Sequence, residues 1–125
     1  YNLKTPGNIS AFPIGLSTET GTAMLQSDDE NNLGKAGIVD HAGAHAIEIP
    51  LESGDNFVRG HGIADVDFIK IDVEGHEWEV LNGLKETIRK QLPIIVLEYH
   101  QDTAKKAGYK LHEFYRNVLP EHLLF

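Results

Sequence analysis

The chain has 125 residues, 41% of them hydrophobic, and a formal net charge of −8 at pH 7. This length suits a single α/β-sized domain with a modest core. The acidic balance argues against a phosphate-backbone partner, and no run approaches the ~20 continuous apolar residues of a membrane span.

Residues 8–16, NISAFPIGL, read as a strand with Ile9, Phe12, Ile14 and Leu16 apolar and Pro13 at an edge or irregular point. STETG (17–21) reads as a turn and TAMLQ (22–26) as a short strand. The polar, glycine-rich stretch 27–44 reads as a long surface loop. HAIEIPLE (45–52) alternates, with Ile47, Ile49 and Leu51 on one face, the period of a half-exposed strand. DNFVRGHG (55–62) reads as a short helix or turn.

VDFIKI (66–71) and PIIVL (93–97) are nearly continuous apolar runs. Between them, in 76–91, Trp78, Leu81, Leu84 and Ile88 recur at helical steps, so one face of that helix is apolar. Glu77, Glu79, Lys85, Glu86, Arg89 and Lys90 fall mainly on the remaining surface. Asn82-Gly83 also suits a hairpin turn, but the helical period continues across it, so Gly83 is expected to allow close packing on a sheet. Strand, helix and strand together predict a right-handed βαβ unit in a parallel sheet covered on both faces. A last helix is expected over 110–119, ended by Pro120.

The two apolar strands end in chemistry. Asp72, Glu74 and Gly75 follow the first, and Glu98, Tyr99 and His100 follow the second. Ligands of open α/β sheets bind outside the carboxyl ends of the strands, so Asp72, Glu74, Glu98 and His100 are expected to converge on one crevice. Such a cluster can orient a hydroxyl, act as a general base or bind a divalent cation. The plain alternative is that carboxylates before a helix serve capping and the helix dipole, and that Glu98 and His100 are ordinary surface.

The stretch VDFIKIDVEGHEWEVLNGLKETIRKQLPIIVLEYH (66–100) resembles the signature of the FkbM family of S-adenosylmethionine-dependent methyltransferases. The matching residues, in register, are Lys70, Ile71, Asp72, Val73, Glu74, Gly75, Glu77, Val80, Leu81, Gly83, Pro93 and Glu98. A weaker likeness covers NISAFPIGLSTETGTAML (8–25) and IEIPLESGDNF (47–57), where Asp55 takes the place of a family Asp and Gly54 replaces the usual Leu.

The resemblance implies a Rossmann-like methyltransferase sheet and the cofactor S-adenosyl-L-methionine. It implies an acceptor that is a small molecule or glycan, methylated on a hydroxyl. By it, Asp72, Glu74 and His100 are the catalytic candidates, with Asp72 as base or orienting group. Leu16, Ser17 and Asp72 border the cofactor, and Glu98, His76 and Tyr99 border the substrate. The glycine-rich strand and turn that hold the methionine part of the cofactor, and the next strand with its acidic end, are absent from the sequence. The whole chain, 1–125, is therefore expected to be the C-terminal portion of an incomplete domain, unable to bind the cofactor normally by itself. Residue 1 is Tyr and the only methionine is Met24, which agrees with a fragment or processed chain and makes the lack of a leader uninformative.

Two alternatives stand beside this reading. One is a non-catalytic α/β remnant or interaction module, such as a homo-oligomer burying the edge left by missing strands. The other is a metal-dependent hydrolase using Asp72, Glu74 and His100, which has few ligands. His41 and His45 are spaced as a helical metal pair, but the glycines around them predict a loop. His61, His112 and His122 read as surface and Trp78 as core. No cysteine is present, which excludes thiolate zinc sites and thiol nucleophiles and agrees with a reducing compartment, the cytoplasm by default.

Overall fold

A computed structural model of the chain describes residues 8–27, 36–39, 43, 45–110, 112, 113, 116 and 119. The elements are β1 (Gly15–Ser17), β2 (Gly21–Ser27), β3 (Ala36–Val39), β4 (Ile47–Ser53), α1 (Gly54–Gly60), β5 (Phe68–Ile71), α2 (Glu77–Gly83), α3 (Lys85–Gln91), β6 (Ile94–Leu97) and α4 (Gln101–Ala107). The strands form two sheets. One has the order β1-β4-β2-β3 and the other pairs β5 with β6. In the first sheet β1 runs parallel to β4, with Gly15 opposite Leu51, while β2 is antiparallel to both β4 and β3. In the second, β5 and β6 are parallel, with Ile71 opposite Leu97.

Several expectations need correction. The first strand is shorter than 8–16 and starts only at Gly15, so the turn assigned to 17–21 begins one residue later, after Ser17. The segment assigned to loop contains β3, which pairs with β2 from Met24↔Val39 to Ser27↔Ala36; glycine content hid a strand that needs only a neighbour to hydrogen-bond. Helix α4 went unrecognised, and the helix expected over 110–119 lies largely outside the described residues, as do His41 and His122.

The helix predicted over 76–91 divides at Leu84 (φ −101°, ψ 11°) into α2 and α3. Two contacts explain the break. A Cβ on Gly83 would sit 1.9 Å from the Ser17 carbonyl oxygen, so the end of α2 presses directly on β1. The Asp55 carboxylate, from α1, accepts hydrogen bonds from the Glu86 and Thr87 N–H groups, both at 2.9 Å, and from the Thr87 hydroxyl at 2.7 Å. These are the donors that a new helix start leaves unpaired, and an Asp from another element caps them.

The core is built from Ile71, Val80, Leu81, Leu84, Ile88, Ala104, Tyr109 and Leu119. The predicted stripe is thus the buried face, with Trp78 partly buried at its margin. The parallel βαβ pairing is as expected, but among the described residues the sheet is not covered on both faces. Ile69, Ile71, Ile95 and Leu97 point inward, whereas Phe68, Ile94 and Val96 are 56%, 68% and 46% exposed. Among the described residues no helix is long and apolar enough to cross a membrane.

Candidate functional site

The register of β5 and β6 places their carboxyl ends side by side. Ile71 pairs with Leu97, and the Glu98 N–H continues the ladder by donating to the Ile71 carbonyl at 2.9 Å. Asp72 and Glu98 therefore follow as neighbours one step beyond the paired residues. Side chains alternate across a sheet, which puts both on the uncovered face with Lys70 and Val96. Lys70 Nζ lies 2.7 Å from Asp72 Oδ2. That bond, chiefly, holds the Asp72 carboxyl below the usual carboxylate range, with Glu98 and His100 adding to it and desolvation opposing. Asp72 is thus a fixed anion at neutral pH.

Glu98 and His100 form a second pair on the same rim, with Nε2 of His100 2.8 Å from Oε1 of Glu98. The hydrogen bond to Glu98 raises the His100 pKa above the ordinary imidazole value, desolvation opposes it, and the charges of Glu98, Glu74 and Glu77 add to the rise. Asp72, Glu98 and His100 therefore act on one another electrostatically, and the Glu74 charge adds to the field at His100.

The turn between β5 and α2 is unusual. Glu74 has φ 48° and Gly75 φ 104°. Glycine accepts that region freely, whereas a non-glycine residue held there costs about 1–2 kcal/mol. Gly37 of β3 backs onto this turn: a Cβ there would lie 3.3 Å from the Glu74 carbonyl oxygen.

The remaining candidates divide between two places. His76, at the start of α2, reaches away from the rim. Its Nε2 lies 3.1 Å from the buried Ser17 hydroxyl and its Nδ1 3.5 Å from Glu79 Oε2. Burial lowers its pKa, against the opposing charges of Glu79 and Glu77. Leu16 and Tyr99 are partly buried and pack against the core. The structure thus brings Asp72, Glu98 and His100 to one rim with Glu74 in the adjoining turn, and Ser17 and His76 to a second contact between β1 and α2.

Glu77 departs from its expected surface position and is 3% exposed. It accepts a hydrogen bond from the Gly75 N–H at 2.9 Å and another from the Tyr109 hydroxyl. Nothing in helical periodicity marks a buried glutamate, and its only sequence signal is its place in the family motif. Tyr109 was not singled out from sequence, because its partner lies 32 residues away. No cluster of three or more His, Cys, Asp or Glu side chains able to hold a metal ion occurs among the described residues. The rim therefore gives no support to the divalent-metal and metal-dependent hydrolase readings.

Comparison with known proteins bears on what this rim is for. The chain is 27% identical over 108 residues to hexuronic acid methyltransferase AglP of Haloferax volcanii. The match covers 86% of this chain and 44% of the relative, so the chain spans less than half the length of that protein. No solved structure gives a significant match. The family model described as Methyltransferase FkbM domain matches residues 4–123, and the chain belongs to that methyltransferase family.

Proposed function

We propose that the chain is the C-terminal part of a Rossmann-like, S-adenosylmethionine-dependent methyltransferase domain that methylates a hydroxyl of a sugar or another small-molecule acceptor. The observation that carries this reading is the Asp72, Glu98 and His100 rim at the carboxyl ends of two paired parallel strands, where α/β sheets receive ligands. The sugar part of the proposal leans on the printed activity of the hexuronic acid methyltransferase.

The residues suit the cofactor's charge. S-adenosylmethionine supplies an electrophilic methyl group on a sulfonium cation, and the Asp72 carboxylate, its pKa lowered chiefly by Lys70, provides negative charge on the face that would meet it. In the proposed reaction His100, oriented by Glu98, would take the proton of the acceptor hydroxyl, and bound S-adenosylmethionine would supply the methyl group to that oxygen and leave as the neutral thioether. Asp72, tied to Lys70, orients the hydroxyl, because a carboxylate of lowered pKa is a poor proton acceptor. Glu74, in the adjoining turn, borders the acceptor, and Leu16 and Ser17, with His76 held against the Ser17 hydroxyl, border the adenosine side.

The described residues include no glycine-rich strand-to-helix turn for the rest of the cofactor. Among them, β1 pairs only with β4 and β5 only with β6, so each has one open edge. We assign these edges to further strands of the same sheet, contributed by polypeptide outside this chain. The test is turnover by the natural-length protein against hexuronic acid and neutral sugar acceptors, with Asp72→Asn and His100→Ala as variants. Unchanged turnover in both variants would remove the rim from the reaction.

The exposed Phe68, Ile94 and Val96 face favours a second reading, a non-catalytic interaction module that forms homo-oligomers. Light scattering separates the two. A dimer that Val96→Glu dissociates, in a protein without methyl transfer, supports the module.

A further inference from the structure

The buried Glu77 and Tyr109 pair plays no part in the chemistry above, yet it sits directly behind it. Glu77 is 3% and Tyr109 6% exposed. One carboxylate oxygen of Glu77 receives the Gly75 N–H at 2.9 Å and the other receives the Tyr109 hydroxyl. Gly75 belongs to the turn in which Glu74 holds φ 48°, a conformation that persists only when its surroundings fix it.

The other end of the strut is equally anchored. Helix α4 starts at the second half of the rim, with the Ala104 N–H donating to the His100 carbonyl at 2.9 Å. It ends at Gly108 (φ 86°), and the Tyr109 N–H returns to the Ala104 carbonyl at 3.1 Å. The Tyr109 ring stacks on Trp78 of α2, with centroids 6.1 Å apart and planes at 20°. A closed circuit results, running from His100 along α4 to Tyr109, through Glu77 to Gly75, and back to Asp72 beside Glu98.

We infer that Tyr109 and Glu77 are positioning residues that fix the Asp72 and Glu74 turn relative to Glu98 and His100. This inference rests on the reading of that rim as the catalytic face. Burying a carboxylate without partners is costly. Here both of its oxygens are used, one by the turn and one by the C-terminal segment, so the turn cannot move without breaking a buried bond. Misplacing a reacting group by about 1 Å costs on the order of a hundredfold in rate.

The test uses Tyr109→Phe, which keeps the ring stack and removes one hydroxyl, and Glu77→Gln. A core control, Ile88→Val, lowers stability within the same core without touching the Glu77 hydrogen bonds. In the natural-length protein, Tyr109→Phe is expected to lower kcat about tenfold to a hundredfold with KM for the cofactor within about twofold, while Ile88→Val leaves kcat unchanged. In this chain, Tyr109→Phe is expected to speed hydrogen exchange at the Gly75 amide and to shift the side-chain carboxyl resonances of Asp72 and Glu74, and Ile88→Val is not. A Tyr109→Phe variant that melts earlier but keeps wild-type kcat and those resonances overturns the inference. A wild-type protein without turnover defeats the methyltransferase reading instead, and the Gly75, Asp72 and Glu74 resonances then decide the positioning alone.

Discussion

Two histidines near the strand ends are pushed in opposite directions, and under the proposed reaction that difference separates them as candidate bases. His100 is raised by its hydrogen bond to Glu98, whereas His76 is lowered by burial. A base works only when deprotonated, so activity climbs with pH through its pKa. With His100 as base, the acidic limb of kcat against pH lies above the ordinary imidazole value of 6.5. Glu98→Gln removes the main cause of that rise and moves the limb to lower pH. A limb below 6.5 that Glu98→Gln leaves in place points to His76 instead. At this scale the sequence was informative about which residues meet. The neighbourhood of Asp72, Glu98 and His100 was legible because strand ends are easy to place. The pKa directions of Asp72 and His100 were not, because they follow from the Lys70–Asp72 and Glu98–His100 hydrogen bonds, which residue order alone does not reveal.

Helices α1, α2 and α3 are locked by two contacts that small changes break. Asp55 supplies the cap for α3 through bonds to two backbone N–H groups and one hydroxyl. Asp55→Ala is expected to destabilise the chain by about 1–2 kcal/mol, read as a lower urea midpoint with an unchanged denaturant slope. A midpoint equal to wild type would show that the cap is replaceable by water. Gly83 has no room for a side chain because the Ser17 carbonyl occupies it. Gly83→Ala is expected to cost about 2 kcal/mol or more by overpacking, far beyond its gain in helix propensity of about 1 kcal/mol; a stabilised Gly83→Ala would mean that α2 does not touch β1. The apolar period of 76–91 was correct, and Gly83 was rightly expected to pack closely. The break at Leu84 was invisible because its cause, Asp55, lies on another element. Strand β3 was missed for a similar reason, since Ala36, Gly37, Ile38 and Val39 are weak alone and become a strand through their register with β2.

Among the described residues the strands form two sheets rather than one continuous sheet. The resemblance led to an α/β methyltransferase, and the family match extends from 4 to 123. What periodicity could not give was the division into two sheets and the bare face of Phe68, Ile94 and Val96. Continuous apolar strands normally mean cover on both faces, and here the cover on one face is lacking among the described residues. Both the open edges of β1 and β5 and this face fit a chain that spans 44% of the relative it matches. On the proposed reading, the Asp72, Glu98 and His100 rim and the Glu77 and Tyr109 strut would act with adenosine-holding polypeptide outside this chain.

The first measurement is calorimetric titration of S-adenosylmethionine into the natural-length protein and into this 125-residue chain. The account predicts saturable binding by the natural-length protein and none by the chain alone, with Asp72→Asn weakening the former. No binding by the natural-length protein would contradict the methyltransferase reading, and tight binding by this chain alone would contradict its being an incomplete cofactor site.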